Sequence, residues 1–291
     1  MFVYWRARFK GNSRNLYSMA PIEPSHRLPL AWFETGMRTT PLKVMLATAA
    51  IVLVACASAY ALKIEIGKTT VSATASISPR TLPAQGAAPV NITSVTRIGT
   101  TDGSQPPTLK QLVFSFDKHG SLNVKGLPTC TLAKLAGTTP QLARKRCAGA
   151  IVGTGVGKAD VRLPGQAPVN ISTPLTFFNA PPQGGMPSLI AHAYETVPVP
   201  KTLLVPIAVE RIQHGRYGFQ VKIQLPEIAA GYGGATLAEA TIGKTWKRGG
   251  KAVGYANAYC AGGRLQVYGT LTFTDGSYFP GTLTSPCHVA G

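Results

Sequence analysis

Along residues 62–291, apolar and polar positions alternate in short runs punctuated by Gly, Pro, Asn and Asp. The clearest run is Thr69-Thr70-Val71-Ser72-Ala73-Thr74-Ala75-Ser76-Ile77, rich in β-branched residues. Leu112–Phe116 is a second, ended by the turn Asp117-Lys118-His119-Gly120. Further strands are predicted over 150–163, 169–178, 188–196, 202–212, 216–225, 235–247, 253–260, 264–273 and 277–284. Many short strands with turn residues between them predict an all-β fold of antiparallel, sandwich-like sheets. Only 131–147 reads as helix. Thr131–Ala136 has a helical run, and Thr139 as N-cap with Pro140 at the first helical position opens a second through Arg146.

A faint echo links Leu82–Thr93 to Leu163–Ser172, each carrying Leu-Pro and then Pro-Val-Asn-Ile at a strand entry. It reads as a duplicated strand unit or as chance recurrence. Thr196-Val197-Pro198-Val199-Pro200 is extended and poor in backbone donors, so a boundary is placed there. The expected domains are 62–197, with the helical hairpin 131–147, and 198–291, ending in a disulfide-tied meander. The two halves also suit a single domain.

Ahead of the strands the pattern changes. Arg38 and Lys43 lead an apolar run, Val44–Cys56, followed by Ala57-Ser58-Ala59 and Ala59-Tyr60-Ala61. A basic lead, an apolar core and small residues spaced A-x-A form an export signal over 37–61. Three fates are open: cleavage after Ala59 or Ala61, retention of the uncharged stretch 44–62 as a membrane anchor, or lipidation of Cys56 in the lipobox-like Leu53-Val54-Ala55-Cys56. Residues 1–36 carry neither period and read as a gene-model extension or a disordered tail.

Export changes the meaning of the cysteines. Cys130, Cys147, Cys260 and Cys287 follow the signal, and an even number in an oxidising compartment implies disulfides. A bridge between Cys130 and Cys147 would staple the helical pair. Strand 253–260, the turn Ala261-Gly262-Gly263, strand 264–273 and the Asp275-Gly276 hairpin return the chain to Cys260, which predicts Cys260–Cys287.

Residues 62–291 hold 22 basic and 9 acidic side chains, a net of +13. The densest basic groups are Arg144-Lys145-Arg146 and Lys244, Lys247, Arg248 and Lys251. Such a balance suits an anionic wall polymer or an anionic lipid surface. Nucleic acid is not expected, and the same charges also serve as a solvated surface.

Catalytic signals are sparse. Gly153-Thr154-Gly155-Val156-Gly157-Lys158 is not a phosphate loop, since its spacing is short and Ala159 follows the lysine. Its glycines read as a bulged or closely packed strand. Asp117 is the sole hard oxygen ligand in a calcium-like rhythm, so a hairpin turn is the better account. No metal or cofactor is expected, and no catalytic residue is assigned. His119, His192, His214 and His288 sit apart, and His192 in an apolar strand reads as a satisfied core or face residue.

Several strings resemble a set of bacterial exported proteins of uncharacterised function: Ser78–Pro83, Thr101–Pro107, Gly126–Cys130, Cys147–Gly153, Phe273–Ser277 and Pro286-Cys287. The resemblance implies export and paired cysteines and carries no activity. The sequence therefore leads to an exported, non-catalytic envelope or secreted protein holding an acidic polymer, anionic lipid or another protein. The alternative is a secreted hydrolase with a dispersed site, which requires a pocket with a histidine beside an acid and a nucleophile.

Overall fold

The computed structural model describes residues 61–291. The readings of residues 1–36, of the export segment up to Tyr60 and of Cys56 lie outside that range. The chain begins with β1 (Leu62–Ile66), β2 (Thr69–Ser78), β3 (Thr81–Leu82), β4 (Ala88–Thr100), β5 (Leu109–Asp117) and β6 (Gly120–Leu122). Two short helices follow, α1 (Leu132–Leu135) and α2 (Pro140–Arg146). Then come β7 (Ile151–Val161), β8 (Val169–Gln183), β9 (Met186–Glu195), β10 (Lys201–His214), β11 (Tyr217–Gln224) and β12 (Gly233–Ile242). The chain closes with β13 (Thr245–Arg248), β14 (Lys251–Gly254), β15 (Ala256–Ala258), β16 (Arg264–Phe273), β17 (Tyr278–Pro286) and β18 (His288–Val289). No helix among the described residues is long and apolar enough to cross a membrane.

The long strands all belong to one antiparallel sheet, in the order β1-β2-β4-β12-β7-β8-β9-β10-β11-β5-β16-β17. The expectation of separate sandwich sheets gives way to one sheet curled nearly into a barrel. Its edge strands meet without a hydrogen-bonded ladder. A Cβ on Gly281 of β17 would run into Leu62 and lie near Ile64 of β1. Ser285 Oγ accepts from the Ile77 amide at 3.2 Å, tying β17 to β2. At one end the tail completes the circuit, with β18 pairing parallel to β3 through His288↔Thr81 and Val289↔Leu82.

Register explains which residues turn inward. Ile77, Ile92, Ile242, Gly153 and Phe177 form one row across β2, β4, β12, β7 and β8. That row joins a core with Leu82, Val90, Val205, Ile207, Val221, Tyr255 and the Cys260–Cys287 pair. A second cluster of Val71, Ile98, Leu109, Leu271, Phe273 and Phe279 fills another part of the fold. Residues 61–291 lie in one compact unit. Strands β9 and β10 pair directly across residues 196–200, so the boundary drawn at 197/198 falls inside a hairpin of the sheet.

The bridge Cys260–Cys287 forms, with Cα atoms 5.8 Å apart. The route to it differs from the expected three-stranded meander. Strand β15 pairs with β4 and β6, whereas β16 lies between β5 and β17. The Gly262-Gly263 turn moves the chain to a different part of the sheet rather than to the next strand. Both echo strings join the strands of a hairpin, β2–β4 and β7–β8, and β12 lies between those hairpins.

The glycines of β7 do pack closely. A Cβ on Gly153 would sit 2.6 Å from Ile242 Cδ1 and from Thr241 O, and one on Gly155 would overlap Glu239 O. On Gly157 the nearest atom would be 3.5 Å away. Gly155→Ala should therefore cost about 3 kcal/mol through forced separation of β7 from β12. Gly157→Ala should change stability by less than about 1 kcal/mol. Denaturant unfolding of the two variants checks the contrast.

Candidate functional site

The loop that carries Arg144-Lys145-Arg146 is bolted to the outer face of β8–β10. Cys130 and Cys147 are bridged with Cα atoms 5.8 Å apart. Thr131 and Thr139 cap α1 and α2 by accepting from the Lys134 and Leu142 amides, and Pro140 opens α2. Leu135 and Ala143 face down onto Phe178, Ala180 and Ile190. The Cys130 amide donates to Asn179 O at 2.8 Å, and Asn179 Nδ2 returns a bond to Pro128 O at 3.0 Å. Strand β9 is thus buried on both faces, with Leu189 inside the curl and Ile190 under the loop.

A polar layer fastens the loop. Thr138 and His192 are fully buried. Thr138 Oγ1 donates to Leu135 O at 2.6 Å, and Thr202 Oγ1 donates to Thr138 O at 2.8 Å. His192 Nε2 lies 3.1 Å from both Thr138 Oγ1 and Thr138 O. A carbonyl oxygen only accepts, and the Thr138 hydroxyl proton is already used, so Nε2 carries the ring proton. Nδ1 has no partner, which fits a neutral ring. Burial pushes the His192 pKa below its ordinary value, and nearby Arg144 adds to the effect. The expected core histidine is present, with a clamping role the sequence did not suggest.

The root of the second basic group meets the chain just past the first. Lys244 Nζ donates to Gly149 O, two residues past Cys147, and the Gly243 amide donates to Val152 O at 2.8 Å. Burial lowers the Lys244 pKa. From there β13 and β14 form a hairpin that turns at Gly249-Gly250, both at positive φ, and presents Lys247, Arg248 and Lys251 exposed. On α2, Arg144 Nε donates to Thr176 Oγ1 at 3.1 Å and Arg146 reaches Lys134 O at 3.3 Å, leaving Lys145 free in solvent.

No acidic residue lies between Asp117 and Asp160, nor between Glu239 and Asp275. Elsewhere four acids are paired: Asp102, Asp117, Asp160 and Glu210 with Lys68, Arg216, Arg162 and Lys222. Buried Glu195 accepts from the Ala229 amide. None of the seven candidate basic residues has an acidic partner among the described residues.

The other sequence candidates take structural places. Asp117 ends β5 and accepts from Arg216 Nε at 2.6 Å and the Gln266 amide at 3.1 Å, tying the β10–β11 turn and β16 to β5. His119 Nδ1 lies 2.8 Å from Asp117 Oδ1, off the line of a hydrogen bond, and its ring meets Tyr259 edge-on. His214 is exposed at the end of β10, and His288 is exposed in β18.

Two adjoining clefts of about 440 and 350 Å³ share Lys201 and Pro226. Glu195 and Glu227 line the larger, and no histidine lines either. Sequence reasoning missed this corner, where Ala229 and Ala230 adopt left-handed φ of 50° and 53° without a glycine to signal it. Among the described residues no group of three His, Cys, Asp or Glu is placed to hold a metal ion.

No protein-family model matches this chain, and no curated protein matches it significantly.

The His192 clamp predicts a pH dependence. Its folded pKa lies below the ordinary 6.5, so its contribution to stability is present above 6.5 and is lost as pH falls toward the folded value. The melting temperature of the native protein should drop over that window. His192→Gln, which keeps a donor toward Thr138 but does not titrate, should flatten the profile. Parallel pH profiles for the two proteins would contradict the assignment.

Proposed function

We propose that residues 62–291 form an exported, non-catalytic protein that holds polyanionic material in the envelope or outside the cell. The observation that carries the reading is the junction of Lys244 with Gly149. It roots the β13–β14 hairpin on the chain just past the disulfide-closed loop, so that two acid-free basic segments are tied at that contact. The two disulfides fit an oxidising compartment. The export-like segment and the resemblance to bacterial exported proteins support the same setting. The loop is already ordered, so docking a polymer on it costs little conformational entropy.

The binding is electrostatic and salt-sensitive. The purified protein should be retained on anionic wall fragments and on polyphosphate beads, and moderate salt should release it. Lys145→Glu combined with Lys247→Glu, both exposed and outside the hydrogen-bond clamps, should weaken retention by about tenfold or more. Retention that survives the reversal, or no retention at low salt, would contradict the proposal.

A further inference from the structure

The disulfide-closed loop presents more than charge. Leu132 is 45% exposed and Leu142 37% exposed, although the same segment buries Leu135 and Ala143 beneath it. Leu142 and Arg146 lie one turn apart on α2, and Arg146 reaches the Lys134 carbonyl of α1. Leu142 and Arg146 therefore share one side of α2. Scattered exposed leucines need no explanation, but here two stand within the loop closed by Cys130 and Cys147, which also carries Lys134, Arg144, Lys145 and Arg146. The loop contains no acid to neutralise them.

We infer that the Cys130–Cys147 loop is a membrane-surface contact. Leu132 and Leu142 enter the headgroup layer of an anionic bilayer while Lys134, Lys145 and Arg146 engage lipid phosphates. This rests on the polyanion reading and narrows it. A soluble acidic polymer gives the leucines nothing to bury in, whereas an interface matches exposed leucines that share one acid-free loop with cations. The clamp of Asn179, Thr138 and His192 keeps the platform rigid, and the bridge holds its ends together. The contact is peripheral. Two short helices cannot span the bilayer, and they bury only their exposed tips.

The test uses the purified native protein with phosphatidylcholine vesicles, with vesicles also containing phosphatidylglycerol, and with polyphosphate beads. Native protein should bind the anionic vesicles and not the neutral ones. Leu132→Asn with Leu142→Asn should weaken vesicle binding about tenfold while leaving bead retention unchanged. A Leu142→Trp variant should shift its emission to the blue on anionic vesicles and not with polyphosphate. Retention on beads without binding to anionic vesicles would overturn the lipid contact and leave the polyanion reading standing. Binding to neither would remove both. Vesicle binding unaffected by the leucine substitutions, or a tryptophan emission that does not move, would overturn the insertion.

Discussion

The structure depends on closing one long antiparallel sheet onto itself. Such a sheet has two edges, and unpaired edges invite association with other chains. Here β1 and β17 meet through side chains, with Gly281 leaving the space that Leu62 occupies beside Ile64. The closure is then latched by the parallel pairing of β18 with β3 and by the Cys260–Cys287 bridge. The Cys260 amide donates to Pro83 O at 2.9 Å, which places the bridge directly behind β3. Leu82, Cys260 and Cys287 belong to one apolar cluster, and Phe279 with Ile64 to another. Both clusters touch the closure, so parting the edges would wet both. A bridge between cysteines 27 positions apart contributes on the order of 3–4 kcal/mol by the loop-entropy model.

Closure also determines where a functional surface can form. With the inner face committed to the core, chemistry is left to the outer face, the turns and the loops. One stretch of that outer face, over β8–β10, is covered by the loop with α1 and α2, and a buried threonine–histidine layer holds it down. The loop needs such fastening because α1 spans 4 residues and α2 spans 7, too short to be stable alone. What results is a platform whose lower side is core and which exposes cations and two leucines. The β13–β14 hairpin, rooted at Lys244, extends the same charge.

Much of this was legible in the residues because periodicity, turn chemistry and cysteine spacing are local signals. The alternation of Thr69–Ile77, the Asp275-Gly276 hairpin, the Thr139-Pro140 start of α2 and both disulfide pairings reappear in the structure. Strand β4 was signalled only as the strand entered by the first echo string, without bounds of its own. Its inward positions run Val90, Ile92, Ser94, Thr96 and Ile98, and small polar residues at the middle two break the apolar rhythm. Those two face Ala75 and Ala73 of β2, in a part of the curl lined by small side chains. Sheet order was hidden for another reason. Placing β12 between β4 and β7, and β5 between β11 and β16, depends on contacts among segments far apart in sequence. The basic groups were visible singly, but the contact of Lys244 with Gly149 joins residues separated by 95 positions, which no local pattern encodes.

The most direct test of the closure is amide hydrogen exchange of the native protein, followed peptide by peptide before and after loss of the Cys260–Cys287 bridge in a Cys260→Ala, Cys287→Ala variant. The structure predicts that exchange quickens first in β18 and β3, then in β17 and β1, while β7–β10 stay protected. Uniform quickening across the sheet, or unchanged protection at β3, β18, β1 and β17, would contradict a sheet latched at that seam.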